Sequence, residues 1–516
     1  MVNLTIEGRQ VSVPAGTSIL EAAKTVGVLI PHYCYHPGLP VAGVCRMCLV
    51  DVEKAPKLAP ACATAVAEGQ VITVHAEKAR EARKGVLEML LINHPLDCPI
   101  CDQSGECELQ DYTYKEGRAD SRYREPKRFN PVEDFGGDVM YVPNRCILCT
   151  RCVRFMEDVA HDAALNVSER GDRALIGKAE GKDLTHAWAG NVVDLCPVGA
   201  LLSKDFLNKA RSWELDRTAS VCTGCSQGCN MIVETRDNAV VRLRPRPNAA
   251  VNEFFMCDHG RLNYRWLNRG DRIETPAITG NDGTRVADWE TALPAAARVL
   301  KGKRIVVVAS PNLSNEALYM LTRLVKSSSG IGAYRMPTGP EAPLPGVEDL
   351  ALRTDRAANG RGAELLGFQR SDAPLDGVGA GDAVIVADAE LTADDIAQLT
   401  RASAVVLVST FVPDGLPRAD VILPICNPVE EEGTFTNLRG RVQRFLQARA
   451  APGMARPSWY VLADLLNALG ERVDVMTAAQ AFASLVEAEP AFAGMSHEKL
   501  GLKGAPAAAA TVGVAP

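Results

Sequence analysis

The placement of the cysteines constrains this 516-residue chain more than any other feature: of 16, all but Cys426 fall at or before Cys257. A disulfide framework belongs to small, loop-rich exported domains. This chain is long, and its start, MVNLTIEGRQ, has no charged segment leading into an apolar run of the signal-peptide kind. The thiols therefore read as ligands of metals or clusters, confined to the first half.

They fall into sets. Cys34, Cys45, Cys48 and Cys62 are spread over a loop-rich stretch, with the Cys-x2-Cys pair supplying two ligands from one turn. Gly43 beside them is expected to let the backbone approach. Four thiolates can hold a [2Fe–2S] cluster, and zinc is the competing occupant. The second set, Cys98, Cys101 and Cys107, lacks a fourth thiol, and His94 is the nearest candidate. Its bland alternative is contact with carbonyls at a helix end. An imidazole is neutral where a thiolate is anionic, so the exchange eases reduction, as Rieske centres show. Cys₃His zinc also suits this spacing.

The third set is Cys146-x2-Cys149-x2-Cys152 with a distant Cys196-Pro197. In two-cluster ferredoxins a fourth cysteine follows three residues after the first three and serves the other cluster. Here that position is Met156, so one [4Fe–4S] site is expected where such proteins have two. The fourth set, Cys222, Cys225, Cys229 and Cys257, lies in a strand-rich segment; a [4Fe–4S] cluster or a structural zinc would satisfy it. Fifteen cysteines and one histidine thus divide into four sets of four. Cys426, in the apolar run Val421–Ile425, reads as a buried inert thiol.

The remaining sequence frames these sets. Strands are expected at Asn3–Glu7, Val11–Val13 and Val71–His75. A helix is expected at Ser18–Thr25, with Ser18 and Glu21 forming a capping box. A second helix is expected over Glu77–Asn93, burying Val86, Leu87, Leu90 and Leu91. Residues 118–140 are polar and Arg-rich, suiting a surface connection. Further on, the β-branched runs Arg304–Ala309, Ala383–Ala387 and Ala404–Val408 alternate with helical stretches Asn315–Lys326 and Ala393–Ala402, the pattern of a parallel α/β sheet. Residues 503–516 are Ala/Gly/Pro-rich, a composition expected to be disordered. With 47% hydrophobic and 23% charged residues the chain suits a folded protein of several domains. Its net charge of −7 argues against a nucleic-acid partner. No apolar run reaches membrane-spanning length, so a soluble chain is expected.

In this order the four sets resemble the large iron–sulfur subunit family of respiratory complex I. Matching stretches are Arg211-Ser-Trp-Glu-Leu, Glu432-Gly-Thr-Phe-Thr-Asn and Gly440-Arg-Val-Gln. The resemblance implies α+β ferredoxin-like iron–sulfur domains followed by an α/β parallel-sheet domain like that of molybdopterin oxidoreductases. Its expected boundaries are 1–78 ([2Fe–2S]), 79–118 (His-Cys₃ [4Fe–4S]), 119–215 and 216–272 (one [4Fe–4S] each), 273–502 (scaffold) and 503–516 (tail). It implies an electron relay from a flavin-containing, NADH-oxidising partner towards quinone, with three sets on the path and the fourth off it. Other peripheral-arm subunits would be neighbours, the membrane arm an indirect one, and the place of work the cytoplasmic side of the inner (plasma) membrane.

The sequence departs from that family in a short C-terminal region without a Cys–His pair to present a metal to a pterin. Its Gly-rich string Gly377–Gly381 precedes a strand instead of following one, the wrong context for a dinucleotide. No molybdopterin, flavin, NAD or quinone site is therefore expected on this chain, and no catalytic residue. The competing functions are a relay subunit of an NAD-linked hydrogenase or formate dehydrogenase and, from another class, a zinc-stabilised scaffold without redox activity.

Overall fold

Buried β-branched residues decide the larger part of the architecture. In the computed structural model, which describes residues 1–508, every residue of the strands Ile305–Ala309, Ala383–Ala387 and Ala404–Ser409 is buried. The three are parallel neighbours in an eight-stranded sheet. Its order is Gly283–Val286, Ala277–Gly280, Val421–Pro424, Ala404–Ser409, Ala383–Ala387, Ile305–Ala309, Ile331–Tyr334, Gln369–Arg370. Only Ala277–Gly280 runs against the rest, pairing antiparallel with both Gly283–Val286 and Val421–Pro424. Alternate residues serve different cores. Val307, Ile385 and Val406 pack with the helices Trp289–Leu300, Asn315–Ser327 and Ser458–Leu469, whereas Val306, Val308, Val384, Val386 and Leu407 pack on the opposite face. A sheet covered on both faces needs continuous apolar strands, which is why these runs show no polar alternation.

The helix expected to reach Ala402 stops at Leu399. Its carbonyls then close through tighter bonds, Arg401 N to Gln398 O (3.0 Å) and Ala402 N to Leu399 O (3.1 Å). The Gly377–Gly381 string is a loop leading into the strand Ala383–Ala387. Cys426 is buried, and burial pushes its thiol pKa up. The segment expected to be a disordered tail begins instead with a short strand, Ala505–Pro506, paired antiparallel with Arg441–Phe445; the rest of that expectation, from 509, lies outside the described residues.

The chain divides into two units. One is Met1–Leu215 with Leu344–Glu348, and the sheet just described belongs to the other, which starts at Asp216. The first unit opens with a five-stranded sheet ordered Arg9–Val13, Val2–Ile6, Val71–Thr73, Leu49–Val52, Ala59–Pro60. Leu4, Ile6, Val11 and Val13 point into its core. Ser18 caps the helix Ile19–Thr25 by accepting from Glu21 N (3.2 Å). The reciprocal half of the expected capping box is absent, because the Glu21 carboxylate is taken by Lys24 and Tyr35 Oη, each at 2.7 Å. The next helix spans Glu77–Leu91, two residues shorter than expected. Its fully buried positions are Ala79, Arg83 and Leu87, with Val86, Leu90 and Leu91 only half-buried. Arg83 is tolerated there because it pairs with Glu116 (3.0 Å) and donates to Val74 O (3.0 Å) and Leu49 O (3.3 Å). Residues 118–140 are not all surface connection: Glu133–Gly136 and Val139–Tyr141 form a hairpin, and Val139–Tyr141 also pairs with Leu201–Ser203. Gly136 and Gly137, both at positive φ, make its turn. Among the described residues no helix is long and apolar enough to cross a membrane.

The α/β unit also buries charge. His497 Nε2 lies 3.3 Å from Glu316 and Nδ1 3.4 Å from Glu432. Burial alone would push His497 down, but these two carboxylates outweigh it and hold its pKa at about 9. Glu431 is pushed up to about 8 by burial, partly offset by hydrogen bonds from Ser458. Both groups have folded values above their free ones, 6.5 and 4.5. Their stabilising contributions are therefore whole below those free values and are lost as pH rises through about 9 and about 8. The melting temperature of the α/β unit is expected to fall between pH 6 and pH 9.5, and His497→Gln to flatten that fall. A calorimetric pH series on the full chain, parent against variant, measures it.

Candidate metal centres

In the first set Cys34 sits in the loop after Ile19–Thr25, Cys48 directly before the strand Leu49–Val52, and Cys62 just past Ala59–Pro60, which pairs with that strand. The hairpin brings Cys48 Sγ and Cys62 Sγ to 3.4 Å, and Cys34 N points at Cys45 Sγ (3.5 Å). Thiols of Cys45 and Cys62 donate to Cys34, which holds its pKa far below the usual thiol value; Cys62 likewise lowers Cys48 to about 7. Gly43 differs from expectation: a Cβ there would meet only Ala63, at an ordinary 3.8 Å, and glycine is called for by its φ of +65°.

The second set is built on a short turn, Cys98–Ile100, and on Cys107, which is the N-cap of the helix Glu108–Glu116. Cys101 and Cys107 are buried and Cys98 is exposed. Burial raises Cys101, and raises Cys107 to about 11; the charges of Cys101 and Cys98 add to the latter shift, so the three lie within one another's field. Arg211 donates to the Cys101 carbonyl (2.8 Å) and to that of Pro99. The charged neighbours of His94 are Lys127, Arg145 and Asp97; burial, then the two cations, lower it to about 4. It is thus a neutral imidazole at ordinary pH, the form a metal requires.

The third set gathers on a loop where Leu148 (φ 52°) and Thr150 (φ 60°) are left-handed, a strained conformation for side chains of this kind. Cys152 lies in the one-turn helix Arg151–Arg154 and Cys196 directly follows Asn191–Leu195. Burial raises Cys146 and Cys196 to about 11, Cys149 to about 12, and Cys152 well above its ordinary value; the charges of the other three act on Cys152. Met156 is fully buried, so packed hydrocarbon occupies the position that would serve a second cluster.

The fourth set lies in the second unit. Cys222 and Cys229 flank the turn between Asp216–Val221 and Asn230–Arg236, tied by Cys222 N to Cys229 O (2.8 Å). Cys257 caps the helix Asp258–Leu262, its sulfur accepting from Gly260 N (3.4 Å). All four are buried. Burial raises every thiol, Cys222 to about 12, and the mutual charges of Cys222, Cys225 and Cys257 add to the shift of Cys229.

The donor chemistry of the first, third and fourth sets fits iron–sulfur groups; in the second the three cysteines share a field, but the charged groups acting on His94 are Lys127, Arg145 and Asp97, not those cysteines. In the first, third and fourth sets four sulfurs from separated positions share one field, and burial opposes charging most of them without a cation. Backbone without a side chain lies against the sulfurs: a Cβ on Gly260 would stand 2.9 Å from Cys222 Sγ, and one on Gly199 would overlap Cys101 Sγ.

Family models match the chain segment by segment. Residues 1–77 match the 2Fe-2S iron-sulfur cluster binding domain, 83–122 the NADH-ubiquinone oxidoreductase-G iron-sulfur binding region, and 136–202 the ferredoxin-like domain of NADH-quinone oxidoreductase subunit 3. Residues 215–269 match the molybdopterin oxidoreductase Fe4S4 domain and 378–468 the molybdopterin oxidoreductase family. Fold and matches define the class: a modular iron–sulfur protein with [2Fe–2S]- and [4Fe–4S]-type domains ahead of a molybdopterin oxidoreductase-like α/β domain. Within that class the chain is a relative of the G subunit of NADH-quinone oxidoreductase, as its cysteine motifs implied. It is 40% identical to that protein of Rickettsia bellii (strain RML369-C), over 62% of this chain and 47% of the relative. It is 38% identical to the mitochondrial NADH-ubiquinone oxidoreductase 78 kDa subunit of Candida albicans, over 75% and 52%. The chain spans about half the length of the curated relatives it matches. A solved NAD+-reducing [NiFe]-hydrogenase shares 29% identity over 40% of this chain and 90% of its own, with a TM-score of 0.36.

Sequence reasoning passed over Arg145, Arg151 and Arg154, which alternate with the cysteines of the third set; that interleaving was the available signal. It also passed over Gly199. Gly199→Ala is expected to leave the fold intact while its methyl group displaces Cys101. Iron analysis of the purified chain should show the loss of one cluster's iron, with EPR placing the loss in the second set.

Proposed function

We propose that this chain is an electron-relay subunit of an NADH–quinone oxidoreductase, passing electrons from a flavin-containing, NADH-oxidising partner towards quinone, with ion translocation left to a membrane arm. In this reading Cys34, Cys45, Cys48 and Cys62 hold a [2Fe–2S] cluster. [4Fe–4S] clusters are held by His94, Cys98, Cys101 and Cys107; by Cys146, Cys149, Cys152 and Cys196; and by Cys222, Cys225, Cys229 and Cys257. The chain works among other peripheral-arm subunits on the cytoplasmic side of the inner (plasma) membrane.

The observation that carries the reading is the grouping of the candidate ligands into four sets, one within each of the four iron–sulfur domain matches. When bound, the clusters supply one-electron transfer, for which the protein provides spacing, burial and potential tuning. The residues of this chain do the rest. Folded loops hold the thiols in place, burial excludes water from most of the sulfurs, and the neutral imidazole of His94 leaves its site less negative than a fourth thiolate would. The α/β unit serves as a scaffold, without molybdopterin.

The test is metal content with function. The loaded chain is expected to carry about 14 irons and no zinc or molybdenum; stoichiometric zinc with little iron would establish the scaffold alternative. In the assembled complex Cys149→Ala should abolish electron transfer from NADH to quinone, and Cys225→Ala should spare most of it. Equal loss of turnover per assembled complex would put the fourth site on the path.

A further inference from the structure

The segment Arg145–Arg154 supplies three cysteines of the third set, and each of its three arginines reaches a different neighbour. Arg145 pairs with Asp97, beside Cys98, through Nε (3.1 Å) and Nη2 (3.0 Å). Arg151 pairs with Glu108, beside Cys107, through Nη1 (3.2 Å) and Nη2 (3.3 Å), and donates to the carbonyls of Leu195 (3.2 Å) and Tyr35 (2.9 Å), which adjoin Cys196 and Cys34. These two guanidiniums are each matched by a carboxylate. They act as staples with little net charge of their own.

Arg154 differs. It is half-buried, and its hydrogen bonds go only to the carbonyls of Cys34, Pro40 and Cys149 and to the Thr150 hydroxyl. One guanidinium thus bridges the backbone of a first-set ligand and a third-set ligand with no carboxylate bonded to it; Asp158 acts on it only through space. Adding one electron to either site adds one negative charge there, and an unneutralised cation between the two stabilises that charge in both.

We propose that Arg154 is a positioning residue that raises the reduction potentials of the first and third sites together, while Arg145 and Arg151, each paired with a carboxylate, hold the three N-terminal ligand sets in register. The inference rests on the iron–sulfur reading above. It assigns to Arg154 the role of making both sites easier to reduce while leaving the difference between their potentials unchanged.

The experiment is an EPR-monitored reductive titration of the full chain with its clusters in place, comparing the parent with Arg154→Met, Arg154→Gln and Arg154→Lys. Loss of the charge in Met or Gln should shift the reduced-to-oxidised ratio at fixed applied potential by about tenfold towards oxidised, at both the first and the third site. The second site should be unmoved, and Lys, which keeps the charge, should stay near the parent. If Arg154→Met loses its clusters, Arg154→Gln, which keeps a donor for the carbonyls, carries the comparison. Variants with all clusters present and unchanged potentials overturn the inference, as does a Lys variant that shifts as far as Met. A parent chain without iron–sulfur signals overturns the underlying reading, a result distinguishable from either.

Discussion

A thiol buried in protein resists becoming a thiolate, because the charge loses its water and gains nothing unless a cation stands beside it. Most of the fifteen cysteines in the four candidate sets are in that position: their pKa values are raised by burial, and only Cys34 and Cys48, served by neighbouring thiols, are lowered. The N-terminal unit is organised around this conflict. Outside its sheet core, long stretches of it are loops, with left-handed turns at Leu148 and Thr150 and arginines bonded to carbonyls. A metal centre that removes the charge penalty also joins segments far apart in sequence, such as Cys146–Cys152 and Cys196, and so contributes to folding.

The α/β unit meets a different demand. Its strands bury both faces in hydrocarbon, a solution that needs no metal, and its polar interior is closed by pairs such as Glu316 with His497 and Arg272 with Glu430, the latter at 2.7 Å. The two ways of building a stable interior meet within the second unit, where the fourth ligand set sits on an antiparallel meander, Asp216–Val221, Asn230–Arg236 and Ala239–Pro245. Cys107 and Cys257 illustrate the economy of such sites: each occupies the N-cap of a helix, where free N–H groups favour a negative sulfur.

How much of this was legible in the sequence depends on the range of the interaction. The central strands of the parallel sheet were read almost to the residue, because a strand buried on two faces must be apolar throughout. The groupings of cysteines were legible because close spacing forces sulfurs onto one turn. The hairpin at Glu133–Tyr141 was not, since its short strands carry Glu, Asp and Gly and are specified by pairing with Leu201–Ser203. Nor was Glu21's desertion of its capping box, which depends on Tyr35, fourteen positions away. Local spacing nominates His94 as a ligand but says nothing of Arg145 and Lys127 around it, and no periodicity marks Gly199 as the residue that makes room for a sulfur.

The unequal burial of the sulfurs bears on how such a protein is made. Each N-terminal set includes at least one cysteine that, as a residue, is not fully buried: Cys45, Cys98, and in the third set Cys146 and Cys196. The fourth set has none. A solvent-borne thiol reagent would therefore reach the N-terminal sets, through Cys98 above all, more readily than the fourth. All four cysteines of the fourth set are buried, so any group they hold would have to enter before the strands and the Cys257 helix close, or when they part.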